Sequence, residues 1–125
     1  MLDTCTFLWL AIEPGRISDA AREVLDDPKT VRHLSQASVL EIVLKYRAGK
    51  LPLPQPPDVW IPSRRKFFQI ENLPMDESVI YRSGKLPDGH DDPFDRLIAA
   101  HAIESGCTLL SPDAPLSRLG AARIW

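Results

Sequence analysis

Short apolar segments alternate with helix-forming segments along this 125-residue chain, and this alternation constrains the fold more than any other feature. Strands are predicted by apolar runs at residues 31–34, 69–73, 107–110 and 122–125, with residues 1–2 as a fifth, very short strand. Helices are predicted by apolar spacing and capping residues at 18–25, 38–47, 57–67, 76–83 and 92–105. Because parallel strands need helical crossovers, the sequence predicts an α/β fold with a mainly parallel sheet covered on both faces. No linker divides the chain, so we expect one domain over residues 1–125.

Composition and charge exclude several classes of protein. The longest apolar run, Phe7 to Ile12, has six residues, whereas a membrane-spanning helix needs roughly 18 or more. No basic segment leads into an apolar one as in a secretory signal, so we expect a cytoplasmic protein that does not enter a membrane. The formal net charge of −2 argues against non-specific electrostatic binding to nucleic acid. Cys5 and Cys107 lack neighbours at metal-ligand spacing and are interpreted as free thiols.

Four acidic residues follow or begin predicted elements: Asp3, Glu41, Asp95 and Asp113. In a doubly wound sheet, residues beyond the carboxyl ends of the strands meet at one edge. Four clustered carboxylates require a compensating cation, because each charge disfavours ionisation of the next. Oxygen ligands favour Mg²⁺ or Mn²⁺, and one or two such ions can position water for attack on a phosphodiester. The sequence therefore suggests metal-dependent phosphodiester hydrolysis.

Structural explanations for the same acids remain open at this stage. Ser38 and Glu41 match a capping box, and Glu41 stands four residues before Lys45, a favourable helical ion pair. Asp92 competes with Asp95 as a metal ligand, although Asp92 has the position of an N-cap and Asp95 lies in the first turn. We favour Asp95 as the ligand.

These residues belong to motifs that resemble a known family. The motifs are Leu2-Asp3-Thr4, Ser38-Val-Leu-Glu41-Ile42, His90-Asp91-Asp92-Pro93-Phe94-Asp95-Arg96-Leu97-Ile98-Ala99-Ala100 and Thr108-Leu109-Leu110-Ser111-Pro112-Asp113. The chain resembles PIN-domain ribonucleases, and most closely the VapC-like toxins of bacterial type II toxin-antitoxin pairs.

The resemblance implies a three-layer α/β/α sandwich with Asp3, Glu41, Asp95 and Asp113 as metal ligands. It also implies Mg²⁺- or Mn²⁺-dependent endoribonuclease activity through an activated water, a homodimer, and a cognate antitoxin. One departure is the short start: only two residues precede Asp3, where relatives have several apolar ones. We therefore expect a short central strand, and a start upstream of Met1 stays open.

Other polar residues are candidates for contact with RNA or with the acids. Thr4, Lys45, Arg96 and Ser111 are predicted to contact substrate or to orient a carboxylate. His90 can reach substrate or serve as a polar loop residue. His101 falls among apolar residues of its helix, so we interpret it as a hydrogen-bonded core histidine.

Two other functions compete with the nuclease. A catalytically silent PIN-like module would bind a protein partner or RNA without cutting. A phosphotransferase of the haloacid-dehalogenase type is disfavoured, because that family places an acid where this chain has Cys5.

Overall fold

The structure is a computed structural model that describes residues 1–125. The α-helices are α1 Thr4–Ile12, α2 Asp19–Asp26, α3 Gln36–Arg47, α4 Pro57–Phe67, α5 Glu77–Lys85 and α6 Pro93–Glu104. The strands are β1 Arg32–Ser35, β2 Ile70–Leu73, β3 Leu109–Leu110 and β4 Arg123–Ile124. Two 3₁₀ helices cover Pro14–Arg16 and Ala114–Leu119.

All strands of the sheet are parallel. β1 pairs with β2 from Arg32 opposite Ile70 onward, and β3 pairs with β4. Leu2 joins the two pairs through parallel bridges to Leu34 and Leu110. The order is therefore β2, β1, Leu2, β3, β4, and the predicted parallel sheet with a very short central strand is confirmed.

Helices cover both faces of this sheet. Successive residues of a strand point to opposite faces, so Met1 belongs to one hydrophobic core and Leu2 to the other. The first core packs α5 and α6 against the sheet, with Val79, Ile98, Ala99 and Ala102 among its buried residues. The second core packs α1, α2 and α4 there, with Phe7, Ala21, Leu25, Trp60 and Ile61. The three-layer α/β/α prediction is confirmed. None of the helices has both the length and the apolar character needed to cross a bilayer.

The boundaries of α6 follow its sequence signals. Asp92 is the N-cap and accepts hydrogen bonds from the backbone N–H groups of Phe94 and Asp95. Gly106, just beyond the last turn, has a φ of +63°, which a residue with a Cβ adopts only with strain. Asp92 is thus confirmed as a cap.

The start of α3 differs from the prediction. The helix begins at Gln36, and its N-cap is Ser35, whose hydroxyl accepts from the N–H of Ala37. Ser38 lies buried within the helix, and its Oγ has no hydrogen-bond partner. The capping-box explanation of Ser38 and Glu41 is therefore wrong, and Glu41 lies in the second turn rather than at the helix start.

Helix α1 and both 3₁₀ helices were not predicted. Much of α1 is the apolar run Phe7 to Ile12, which has no polar side to create a helical period. Phe7 is fully buried and Trp9 packs against Trp125. The helix is thus fixed by tertiary packing rather than by an amphipathic pattern.

Candidate metal centre

The predicted acids lie around the carboxyl edge of the sheet. Asp3 directly follows Leu2 of the central strand, and Asp113 comes three residues after β3. Glu41 lies in the helix that follows β1, and Asp95 lies in the first turn of α6. The crossovers of a parallel sheet bring these elements together although they are distant in sequence.

Asp3 is held by hydrogen bonds on both carboxylate oxygens. Its Oδ1 accepts from the N–H of Thr6 at 2.7 Å, which makes Asp3 the N-cap of α1. Its Oδ2 accepts from the hydroxyl of Ser111. Burial raises the pKa of Asp3, the hydrogen bonds from Ser111 and Thr6 oppose this, and the charge of Asp95 adds to the rise.

Glu41 is buried and accepts two hydrogen bonds. The hydroxyl of Thr4 donates to Oε2, and the ammonium of Lys45 donates to Oε1. The bond to Glu41 raises the pKa of Lys45. The predicted ion pair between Glu41 and Lys45 is confirmed, and it orients the carboxylate.

Asp95 and Asp113 meet at a histidine. The Nε2 atom of His90 lies 2.7 Å from Oδ2 of Asp95 and 3.6 Å from Oδ2 of Asp113. These three side chains each place one ligand atom within 4.8 Å of the others. Burial raises the pKa of Asp95, the hydrogen bond from His90 lowers it, and the charges of Asp92 and Asp113 raise it further.

The acids share one electrostatic environment. The hydroxyl of Ser111 donates to Asp3 and accepts from the N–H of Asp113, so it ties these two residues together. Cys5 is exposed, yet partial desolvation by its surroundings raises the pKa of its thiol to about 11, and the charges of Asp3 and Glu41 contribute. Asp3, Glu41 and Asp95 all influence the titration of Cys5, and Asp95 and Asp113 converge on His90, so the acids lie within electrostatic reach of one another. Such a group of carboxylates could hold a hard divalent cation.

The predicted substrate-binding residues have different surroundings. The hydroxyls of Thr4 and Ser111 and the ammonium of Lys45 each bond to a carboxylate of the site. Arg96 points elsewhere: its five N–H groups donate to backbone carbonyls of the segment that precedes α6, at Ser83, Leu86, Pro87 and His90. All five guanidinium donors are thus engaged with the protein, and a contact between Arg96 and substrate stays a prediction that these bonds do not favour.

The two α6-region histidines also differ. His101 is buried and its Nδ1 lies 2.8 Å from the hydroxyl of Ser35, which confirms a hydrogen-bonded core histidine. The sequence left two roles open for His90, substrate contact and a polar loop residue, and it did not predict the contact with Asp95 and Asp113. Its spacing of five residues before Asp95 was the available signal, but the path of the intervening loop was needed to interpret it.

The parallel α/β sandwich with acids at the carboxyl edge of its sheet agrees with the PIN-domain fold that the sequence motifs predicted. The model of the PIN domain family matches residues 1–122. The chain therefore belongs to the PIN domain family.

The matches to individual proteins cover less of the chain than the family model does or have low sequence identity. Ribonuclease VapC16 of Mycobacterium tuberculosis (strain ATCC 25618 / H37Rv) is 34% identical over 68 residues, which cover 52% of this chain and 48% of the relative. The match thus spans about half the length of that curated relative. In a crystal structure of VapBC2 from Rickettsia felis bound to a promoter DNA fragment, the matching chain has a TM-score of 0.69 and 19% identity. That match covers 99% of this chain and 96% of the other, and it supports the fold.

Proposed function

We propose that this protein is a Mg²⁺- or Mn²⁺-dependent endoribonuclease toxin of a type II toxin-antitoxin pair. The observation that supports the proposal is the convergence of Asp95 and Asp113 on His90 beside Asp3 and Glu41, at the carboxyl edge of a PIN-domain sheet. Burial raises the pKa of Asp3 and of Asp95, so the ionised site is unfavourable without a cation. The relative in M. tuberculosis is a ribonuclease, which supports RNA as the substrate.

The donor set fits a hard divalent ion. Ligand atoms adjacent in an octahedral site lie about 3 Å apart at metal–oxygen distances near 2.1 Å. Ligand atoms of Asp95, Asp113 and the neighbouring His90 all lie within 4.8 Å of one another, and the charge of Asp95 influences the pKa of Asp3. Asp3, Glu41, Asp95 and Asp113 would hold one or two ions.

The mechanism assigns separate tasks to the residues of the site. A bound Mg²⁺ or Mn²⁺ supplies Lewis acidity that favours the attacking water and the departing oxygen of the phosphodiester. Thr4 and Ser111 fix the orientation of Glu41 and Asp3 through their hydroxyls. Lys45 is half-exposed, so its ammonium can also meet an RNA phosphate beside the acids.

Partners follow from the same proposal. The structural neighbour from R. felis is part of VapBC2, and we propose a cognate antitoxin for this chain as well. We also propose a homodimer through α3, where Leu40, Val43 and Leu44 are exposed at helical spacing and form one apolar ridge. A twofold contact would bury the ridge of each copy against the other. The single-domain organisation and cytoplasmic location stay predictions.

Cleavage of total cellular RNA by the purified protein tests the activity. With Mn²⁺ or Mg²⁺ we expect discrete fragments, and EDTA abolishes them. Asp95→Asn lowers the rate by at least about 100-fold because a metal ligand is lost. The matched control is Asp58→Asn, which changes an exposed acid in the first turn of α4 and leaves cleavage unchanged.

Two results would overturn this proposal. Metal-dependent cleavage that survives Asp95→Asn would remove Asp95 from the site. Calorimetry that detects neither Mg²⁺ nor Mn²⁺ binding to the folded protein would favour the catalytically silent binding module.

Sedimentation of Leu44→Glu tests the dimer: we expect a monomer, and an unchanged dimer would move the interface away from α3.

A further inference from the structure

His90 occupies a place in the acidic centre that the four carboxylates do not explain. Its Nε2 atom lies between Asp95 and Asp113, at 2.7 Å and 3.6 Å from their Oδ2 atoms. All three side chains are partly buried. The imidazole thus presents a nitrogen at the point where the two carboxylates converge.

The conformation of the loop that carries His90 is stabilised by hydrogen bonds from Arg96 and by a glycine in the loop. Arg96 donates to the carbonyl of His90 and to three further carbonyls of the preceding segment, at Ser83, Leu86 and Pro87. Gly89 has a φ of +106°, a backbone conformation that strains any residue with a Cβ. Together these features turn the chain so that His90 lies over the first turn of α6.

We propose that His90 is a nitrogen ligand of the ion held by this centre and that it shifts the preference of the centre from Mg²⁺ toward Mn²⁺. The inference rests on the proposed function, since it concerns the same ion. The two separations bracket the value of about 3 Å expected for adjacent ligands of an octahedral ion, and all three ligand atoms lie within 4.8 Å of one another. One ion can therefore contact His90, Asp95 and Asp113 together.

The metal preference follows from the chemistry of the ligand. Carboxylates bind Mg²⁺ and Mn²⁺ alike, whereas imidazole nitrogen suits transition ions better than Mg²⁺. Replacement of one oxygen ligand by His90 thus strengthens Mn²⁺ binding relative to Mg²⁺ binding. The alternative role for His90 is a hydrogen-bond donor that only orients Asp95, as outer groups of metal sites commonly do.

Pulsed electron paramagnetic resonance of the Mn²⁺-loaded protein distinguishes these roles. A directly bound imidazole gives a ¹⁴N hyperfine coupling to Mn²⁺, and a nitrogen that only donates to a ligand does not. We expect the coupling in the wild-type protein and its loss in His90→Gln, which keeps an N–H donor at this position. The matched control is His33→Gln, which changes a histidine on β1 and should retain the coupling.

Calorimetry supplies the second readout. We expect His90→Gln to weaken Mn²⁺ binding by about 10-fold or more while Mg²⁺ binding changes little. The wild-type spectrum decides the ligand question even where the variant fails to fold.

The outcomes separate the two proposals. Bound Mn²⁺ without ¹⁴N coupling in the wild-type protein overturns the role of His90 and leaves the carboxylate centre intact. Coupling that persists in folded His90→Gln overturns it as well. Equal losses of Mn²⁺ and Mg²⁺ affinity in His90→Gln overturn the metal preference. Failure to bind either ion overturns the proposed function itself.

Discussion

The role of Arg96 gives the sharpest test of the structure against the sequence. The sequence predicted a contact with substrate, whereas the structure directs all five N–H groups of Arg96 to backbone carbonyls. Arg96→Lys keeps the positive charge but replaces a planar fork with a single ammonium that has three donors. A phosphate contact largely survives this change, and the network of carbonyl contacts does not.

The expected magnitude follows from the lost hydrogen bonds. At least two of the five cannot form from a lysine ammonium, and a hydrogen bond to a charged group contributes about 1.5 to 3 kcal/mol. The lower end applies because water can reach part of this loop, so Arg96→Lys should lower the free energy of unfolding by about 3 kcal/mol. The control Arg82→Lys affects an exposed pair with Glu104 and should cost less than about 1 kcal/mol.

Urea denaturation in EDTA, followed by circular dichroism, measures both variants without metal linkage. A change below about 0.5 kcal/mol for Arg96→Lys would refute the structural role. An Arg96→Ala variant that binds RNA more weakly without losing stability would support the phosphate contact predicted from the sequence.

Three further predictions concern the site and its support. Because burial raises the pKa of Asp95 in the folded protein, its ionisation costs stability as pH rises through that raised pKa. In EDTA, Asp95→Asn should therefore have a higher free energy of unfolding than wild type at pH 7. This difference in stability should vanish below about pH 4, where the carboxyl is protonated. A difference that does not depend on pH in urea titrations would contradict this. With a pKa of about 11, Cys5 in a Cys107→Ser background should react with iodoacetamide at pH 8 about 100-fold more slowly than an ordinary thiol. Saturating Mn²⁺ should accelerate that reaction by offsetting the acidic charges, and an unchanged rate would separate Cys5 from the metal centre. Ser35→Ala removes both the α3 cap and the partner of His101, and denaturation should show a loss of about 2 kcal/mol, while a loss below about 0.5 kcal/mol would contradict both contacts.

The strands were predictable because each contains at least one buried or partly buried apolar residue and lies between turn or cap residues. Register was not, since pairing of Leu2 with both Leu34 and Leu110 depends on packing on two faces at once. Helix α1 escaped prediction because its apolar residues surround the axis, so no period distinguishes it from a strand or a loop.

The site was predictable where it depends on topology and unpredictable where it depends on a loop. Asp3 and Asp113 follow adjacent strands, so a parallel sheet alone brings them to one edge. His90 and Arg96 owe their partners to the path of residues 83–92, which no periodicity encodes. The charge of Arg96 invited a functional interpretation, yet a guanidinium with five donors serves equally well to organise backbone carbonyls.

Asp3 shows why structural and functional explanations of an acid need not compete. As N-cap of α1 and acceptor from Ser111, it uses one lone-pair site on each oxygen. A carboxylate has about four such sites, so both oxygens retain capacity for a cation. The two donors also oppose the rise in the pKa of Asp3 that burial causes, which keeps the ionised form accessible. Capping is thus compatible with the proposed role of Asp3 as a metal ligand, because the bonds that begin the helix also orient the carboxylate and favour the charge that a cation requires.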